Sequence, residues 1–450
     1  MHQTVREFFR PNGPTAQSKF RMNSNDAHIR ISITCVRYLM LCASKTASID
    51  QATRNKFWTS EHFEAYTRYL SGRPFFNYAL GFVKRHLQEC RQVAGDSELI
   101  SQLYRSVKKS PAAYVLGNWI PEAWGQRILG HEQQDYSRDF RAKLLHTATR
   151  MGYPQVVEAL LVAGAEVEAR LDGKTALMVA AESGELATTR VLLDQGALME
   201  ARDDNNRLAL HLASTSGHSE VVGLLLDRGA DKEGEDEKRQ RALHLAAANG
   251  HEPVVRLLLN GGAFKEAGDN KARTALHLAA ANGHNPVVGL LISRGTNKEA
   301  QDSEGQTALH LAAANGHDHV IKLLANRGAN KKAKDKLGWG ALHSAAWNGH
   351  ETTIETLVQS LHVDKEERDF GGWTALHMAA MNGQDTAIRW LVERFGADKN
   401  AKESQGWTAL HFVAALGLED TAQLLIKALS VNRDARNGQG ETAQSLAQKW

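Results

Sequence analysis

The chain has 450 residues, room for more than one compact domain, and its formal net charge of +3 gives no global pull towards nucleic acid. Its three cysteines, Cys35, Cys42 and Cys90, are odd in number, widely spaced and without a CxxC pair. That argues against a disulfide framework and a cysteine zinc site, and fits a reducing compartment. The charge is uneven: residues 1–138 carry 19 Lys+Arg against 11 Asp+Glu, which leaves 35 against 40 for the rest.

The start, Met1-His-Gln-Thr-Val-Arg-Glu-Phe-Phe, lacks the apolar run of a signal peptide. Ile29 to Ala43 is the most apolar segment, but Arg30 and Arg37 interrupt it and it falls short of the roughly 20 residues a membrane span needs. The expectation is a soluble cytoplasmic protein, with the nucleus also open to it. Residues 1–138 read as a non-repetitive helical domain. Asn25 and Asp26 suit a helix N-cap, Phe63, Tyr66, Tyr69 and Leu70 form a helical stripe, and Pro74 can open the helix that carries Phe75, Phe76, Phe82 and Leu87. Its positive charge is scattered, with no nucleic-acid-reading motif beside it.

Three pieces of this front segment, the first nine residues, Thr34-Cys-Val-Arg-Tyr-Leu, and Pro74-Phe-Phe-Asn-Tyr-Ala with His86 downstream, resemble a run in fungal NACHT signalling NTPases. In those proteins a nucleotide-binding domain precedes a winged-helix and helical region and then ankyrin repeats. The resemblance implies that the chain starts inside that helical region, with the ATPase upstream or lost. No Walker A loop is present: Gly173-Lys174-Thr175 looks like the end of one, but position 168 is Glu, not Gly.

From residue 139 to 450 the chain repeats itself. Thr274-Ala-Leu-His-Leu-Ala-Ala-Ala-Asn-Gly-His284 recurs almost unchanged at Arg241–His251 and Thr307–His317, 33 residues apart. The motif leucines run Leu145, Leu177, Leu210, Leu243, Leu276, Leu309, Leu342, Leu376 and Leu410, and the last two steps lengthen to 34 residues. A degenerate tenth copy begins at Gly440. A fixed period of this size marks stacked units, none of which covers its own apolar face. In one unit, Ala275–Ala281 is expected as a short helix after Thr274, and Asn282-Gly283-His284 as a turn. A second helix follows from Pro286, burying Val287, Val288, Leu290, Leu291 and Ile292, then a hairpin loop from Asn297 to Gly305. The pattern resembles the ankyrin-repeat family, with Ala275, Ala308, Ala375 and Ala409 where the family has Pro. It implies an all-α solenoid with short β-hairpin loops, about nine full repeats and a partial last one.

Two histidine ladders, His211 to His411 and His218 to His350, invite a metal reading. Zinc, however, needs about four ligands within roughly 2.1 Å of one point, and ladder members stand a repeat apart. The resemblance instead implies that the first ladder hydrogen-bonds each turn to its neighbour. A lysine ladder (Lys232, Lys265, Lys298, Lys331, Lys365, Lys399) reads as a solvated hairpin edge. No metal, cofactor or catalytic constellation is expected, so the chain reads as a non-enzymatic scaffold.

The tryptophans break the repetition. Just before the motif threonine the copies carry Arg207 and Gln306, then Trp339, Trp373 and Trp407. Near the end of the first helix, Ala248, Ala281 and Ala314 give way to Trp347, Met381 and Leu416, and Leu337 and Phe370 join from the hairpins. The resemblance places these variable positions on the concave binding surface. Contiguous apolar surface rich in Trp suits a protein partner; with no nucleic-acid-reading motif, membrane span or catalytic constellation, no nucleic acid, membrane or small-molecule substrate is expected. The competing expectation is that the rings pack on one another and stiffen the array.

Overall fold

The structure, a computed structural model, describes residues 134–448 except Ala163. Nearly all of the expected helical front segment, with its cysteines, lies outside the described residues. Two units are described in turn, one ending at Ala201 and one beginning at Arg202. Together the described residues form 19 helices and no strand; the expected hairpins are tight loops with two isolated bridges, Leu171–Lys174 and Arg436–Thr442.

In the first unit, α1 (Gln134–Arg150) packs on α2 (Pro154–Val162), and α3 (Ala176–Ser183) on α4 (Leu186–Asp194). Leu144, Leu145, Leu160, Leu177 and Met178 are fully buried there. His146 donates from Nε2 to the Ala169 carbonyl at 2.9 Å, so the first copy already makes the ladder bond.

The second unit alternates inner and outer helices. The inner ones are α5 (Ala209–Ser216), α7 (Ala242–Ala248), α9 (Ala275–Ala281), α11 (Ala308–Ala314), α13 (Ala341–Trp347), α15 (Ala375–Met381), α17 (Ala409–Ala415) and α19 (Ala443–Ala447). Between them come α6 (Ser219–Asp227), α8 (Glu252–Asn260), α10 (Asn285–Ser293), α12 (Asp318–Asn326), α14 (Glu351–Glu355), α16 (Asp385–Arg389) and α18 (Glu419–Gln423). Each inner helix starts where its sequence dictates: Thr274 is extended at φ −82°, ψ 169°, and Ala275 opens the helix. Ala275, Ala279 and Ala280 are fully buried because consecutive inner helices lie against one another. Val287, Val288, Leu290 and Leu291 face inward from α10 as expected, while Ile292 is only half-buried. Gly283 sits at φ +76°, and a Cβ there would lie 2.7 Å from Nδ1 of His317 in the following repeat. Glycine at this turn is therefore required twice, by the backbone and by the neighbour.

The last three outer helices differ from the rest. α14, α16 and α18 continue into π-helical turns, Thr356–Ser360, Trp390–Arg394 and Leu424–Ala428. α12 has nine residues, whereas Glu351–Ser360 has ten. The lengthened repeat is absorbed as an inserted residue in the helix, which widens one turn and leaves the stacking intact.

Consecutive repeats are tied by side chains that reach forward along the chain. The ladder histidine His277 accepts the Thr274 N–H on Nδ1 (3.1 Å) and donates from Nε2 to the carbonyls of Ala300 (3.0 Å) and Gln306 (3.1 Å) in the next hairpin. The second ladder reaches back: His284 bonds the Ala248 carbonyl at 2.9 Å and His317 that of Ala281 at 3.0 Å. With these bonds made, the ladder rings serve as cross-ties between repeats. The lysine ladder is not simply a solvated edge. Lys265 donates to the carbonyls of Arg294 and Gly295 at the end of α10, and Lys399 to that of Leu429 at 2.7 Å. Lys331 and Lys365 do the same for Leu361 and Phe395. A lysine on the C-terminal carbonyls of a helix satisfies groups that lack an intrahelical partner and sits well in the helix dipole. The next residue ties the hairpins: Glu266 accepts the Asn297 N–H at 3.0 Å and Glu299 that of Asn330 at 2.9 Å. The same bond runs from Phe264 to Glu233, and from Asp398 to Glu366.

Candidate interaction surface

The backbone of each tryptophan is held from two sides. Asp335 Oδ1 accepts the Trp339 N–H at 2.8 Å, and the Trp339 carbonyl accepts from Nε2 of His310 at 3.0 Å. Asp369 and His343 hold Trp373 in the same way, at 2.8 and 3.1 Å, and Glu403 takes the Trp407 N–H at 2.9 Å. These acidic residues close each hairpin, as Asp269 does by accepting the N–H groups of Lys271 and Arg273. The rings thus project from a rigid frame.

The frame brings the eight sequence-predicted residues onto three successive repeats, but not into one continuous stack. Trp339 and Trp347 form one pair within a repeat, with centroids 5.6 Å apart and planes at 47°. Trp373 and Trp407 form a second group, joined by Phe412, whose ring lies 4.3 Å from the first and 5.0 Å from the second. Phe412 is the residue that sequence reasoning passed over. It follows His411, where earlier copies carry Leu278, Leu311, Ser344 and Met378, and that departure in size is the signal that could have found it.

The rings do pack on one another, yet Trp339, Trp347, Trp373, Met381 and Trp407 stay only half-buried. Leu337, Phe370 and Leu416 are the exposed members, at 61%, 71% and 51%. Phe370 lies against Gly338 of the preceding hairpin, with the Lys334 ammonium 5.9 Å from its ring centre. A separate aromatic group occupies the π turn Trp390–Arg394. There Trp390 and Phe395 stand 6.3 Å apart, and the Arg394 guanidinium lies 4.7 Å over Trp390 while pairing with Glu355.

Electrostatically the frame is quiet. Burial pushes the first-ladder imidazoles of His277, His310 and His343 below their ordinary pKa, and His377 down to about 4, so they are neutral at pH 7. Burial likewise raises the Glu367 carboxyl, which lies beside Gly340: a Cβ on that glycine would sit 3.0 Å from Glu367 Oε2. Gly340 stands where Thr274, Thr307, Thr374 and Thr408 stand in other copies, and Glu367 occupies the space that threonine would use. Among the described residues no group of three or more His, Cys, Asp or Glu is placed to hold a metal ion.

Such an array of stacked helix–turn–helix units joined by loops is a repeat architecture. The chain belongs to the ankyrin-repeat family: the model described as Ankyrin repeats (3 copies) matches residues 145–236, 233–302, 285–369 and 356–437, more than half of its length. Among curated proteins none matches the chain. Among the described residues no helix is long and apolar enough to cross a membrane.

Proposed function

We propose that this chain is a non-enzymatic cytoplasmic scaffold that binds a protein partner on the concave ankyrin surface. The contact lies from Leu337 to Leu416. The observation that carries this reading is the change of residue type at fixed repeat positions. Where earlier units have Ala248, Ala281, Ala314, Arg207 or Gln306, three successive units offer Trp, Met, Leu and Phe that keep substantial exposure. An exposed apolar cluster on rigid elements is the usual form of an interaction hot spot.

The test separates binding from packing by choosing the three most exposed residues of the group. Leu337→Ser, Phe370→Ser and Leu416→Ser, combined, are expected to weaken a purified, identified partner at least tenfold in calorimetry while the melting midpoint stays put. Unchanged affinity would sink the reading. A second reading rests on the front-segment residues Thr34–Leu39 and Pro74–Ala79. By this reading the array is the sensor or regulatory part of a NACHT-type signalling NTPase whose ATPase domain is not in this chain. A Walker A motif in the reading frame upstream of Met1 is its test.

A further inference from the structure

One rung of the hairpin ladder is inverted in charge. In the second unit Glu233, Glu266, Glu299 and Glu366 each place a carboxylate oxygen on the first N–H of the following hairpin, at 2.8–3.0 Å. At the corresponding place between Glu299 and Glu366 stands Lys332. The N–H that a glutamate would serve there belongs to Asp364, and among the described residues no group accepts it. Beside this rung opens a cleft of about 410 Å³, lined by Asn326, Asn330, Lys331, Lys332, Ser360 and His362 among others.

Among the described residues no carboxylate lines the cleft, and Lys332 and the Asn330 amide offer it donors. Lys331 is bonded to the Leu361 carbonyl, where it offsets the partial negative charge of the helix end. Asn330 uses its side-chain oxygen on the Lys332 N–H at 3.0 Å, which leaves its amide nitrogen as a donor. Among the described residues the Lys332 ammonium forms no ion pair; the nearby Glu367 feels its charge only at longer range. Asp364 turns its own carboxylate to the Glu366 N–H. The chain thus holds the donors of a carboxylate site and omits the carboxylate.

We infer that this rung receives a carboxylate from outside the chain, the side chain of a Glu or Asp in an acidic segment of a partner protein. The incoming oxygen takes the place that Glu266 or Glu299 takes elsewhere, on the Asp364 N–H, with Lys332 as its counter-charge. This site is independent of the aromatic surface and stands or falls without it.

The test uses the full chain and a capped hexaglutamate peptide at low ionic strength. Binding is expected, together with at least tenfold slower hydrogen exchange at the Asp364 amide. Lys332→Glu, which installs the side chain that four other rungs carry, is expected to abolish both effects and to raise the melting midpoint of the free protein. Lys322→Glu, an exposed lysine on α12, is expected to leave binding unchanged. Peptide binding that survives Lys332→Glu, or that leaves the Asp364 amide unprotected, overturns the proposal. A response to inorganic phosphate with none to the peptide overturns the assignment of a carboxylate.

Discussion

At the scale of single residues, the ladder histidines give the protein a directed response to acid. In the first ladder, from His211 to His411, each is buried, neutral and engaged on both ring nitrogens, so its pKa in the folded state lies below the unfolded value near 6.5. Above that pH both states are neutral and the bonds contribute fully. As the pH falls, the unfolded chain takes up protons that the folded chain refuses, and stability drops until the folded pKa is reached. For His377, at about 4, the window runs from roughly pH 6.5 to 4 and the loss is on the order of 3 kcal/mol. Chemical denaturation between pH 7.5 and 4.5 should therefore show falling stability, and His377→Gln should flatten the slope. A second prediction concerns backbone. Ala272 holds φ +57° at the hairpin position where later copies have Gly305 or Gly372. Ala272→Gly is expected to stabilise by about 1 kcal/mol, because a side chain in that region is strained by about that amount; an unchanged urea midpoint would refute it. The tryptophans were visible in the sequence because they break a period. Phe412 escaped because its importance depends on the rings beside it in space.

At the scale of elements, the sequence revealed the 34-residue steps but not the way the helices accommodate them. The leucine spacing gives the insertion, while its form as a π turn keeps Ile354 ahead of it and Leu357 within it buried. Removing exposed Gln359 restores the nine-residue length of α12 and should close the π turn into ordinary helix, with the midpoint shifting by only a few degrees. Removing exposed Lys322 from α12 has no such turn to absorb it. Every following side chain of that helix rotates by about 100°, which should cost far more stability than the first deletion. Circular dichroism melts of the two variants decide the matter. The lysine ladder teaches the same lesson, since a recurring lysine in a loop looks solvated until the carbonyls of the next helix are in place beside it.

At the scale of the molecule, the repeat period, the helix starts and the family are all legible, because stacking imposes the same residue types again and again. The candidate surface is legible only as a list of departures, and how its rings group had to come from the fold. Stability in such an array is close to a sum of neighbour terms, so one poor junction shows locally. The step from the repeat of α11 and α12 to that of α13 and α14 lacks the glutamate tie, has Gly340 for threonine, and puts His362 at φ +54° where Gly328 and Gly295 stand in other copies. Hydrogen exchange by mass spectrometry should find the amides around Leu361–Asp364 opening faster than those around Arg294–Asn297. Equal protection would show that the remaining ties suffice.

The forward reach of the lysines, glutamates and first-ladder histidines gives the second unit a grain, like overlapping roof tiles. A repeat peeled from the late side exposes side chains that have lost their carbonyls and amides, several of them charged and free to find water. One peeled from the early side strips cover from a helix end and a hairpin amide, whose carbonyls and N–H are fixed in the backbone and cannot turn away. Pulling on the two ends of the unit should then meet different resistance, a mechanical asymmetry written by which partner of each bond is the movable one.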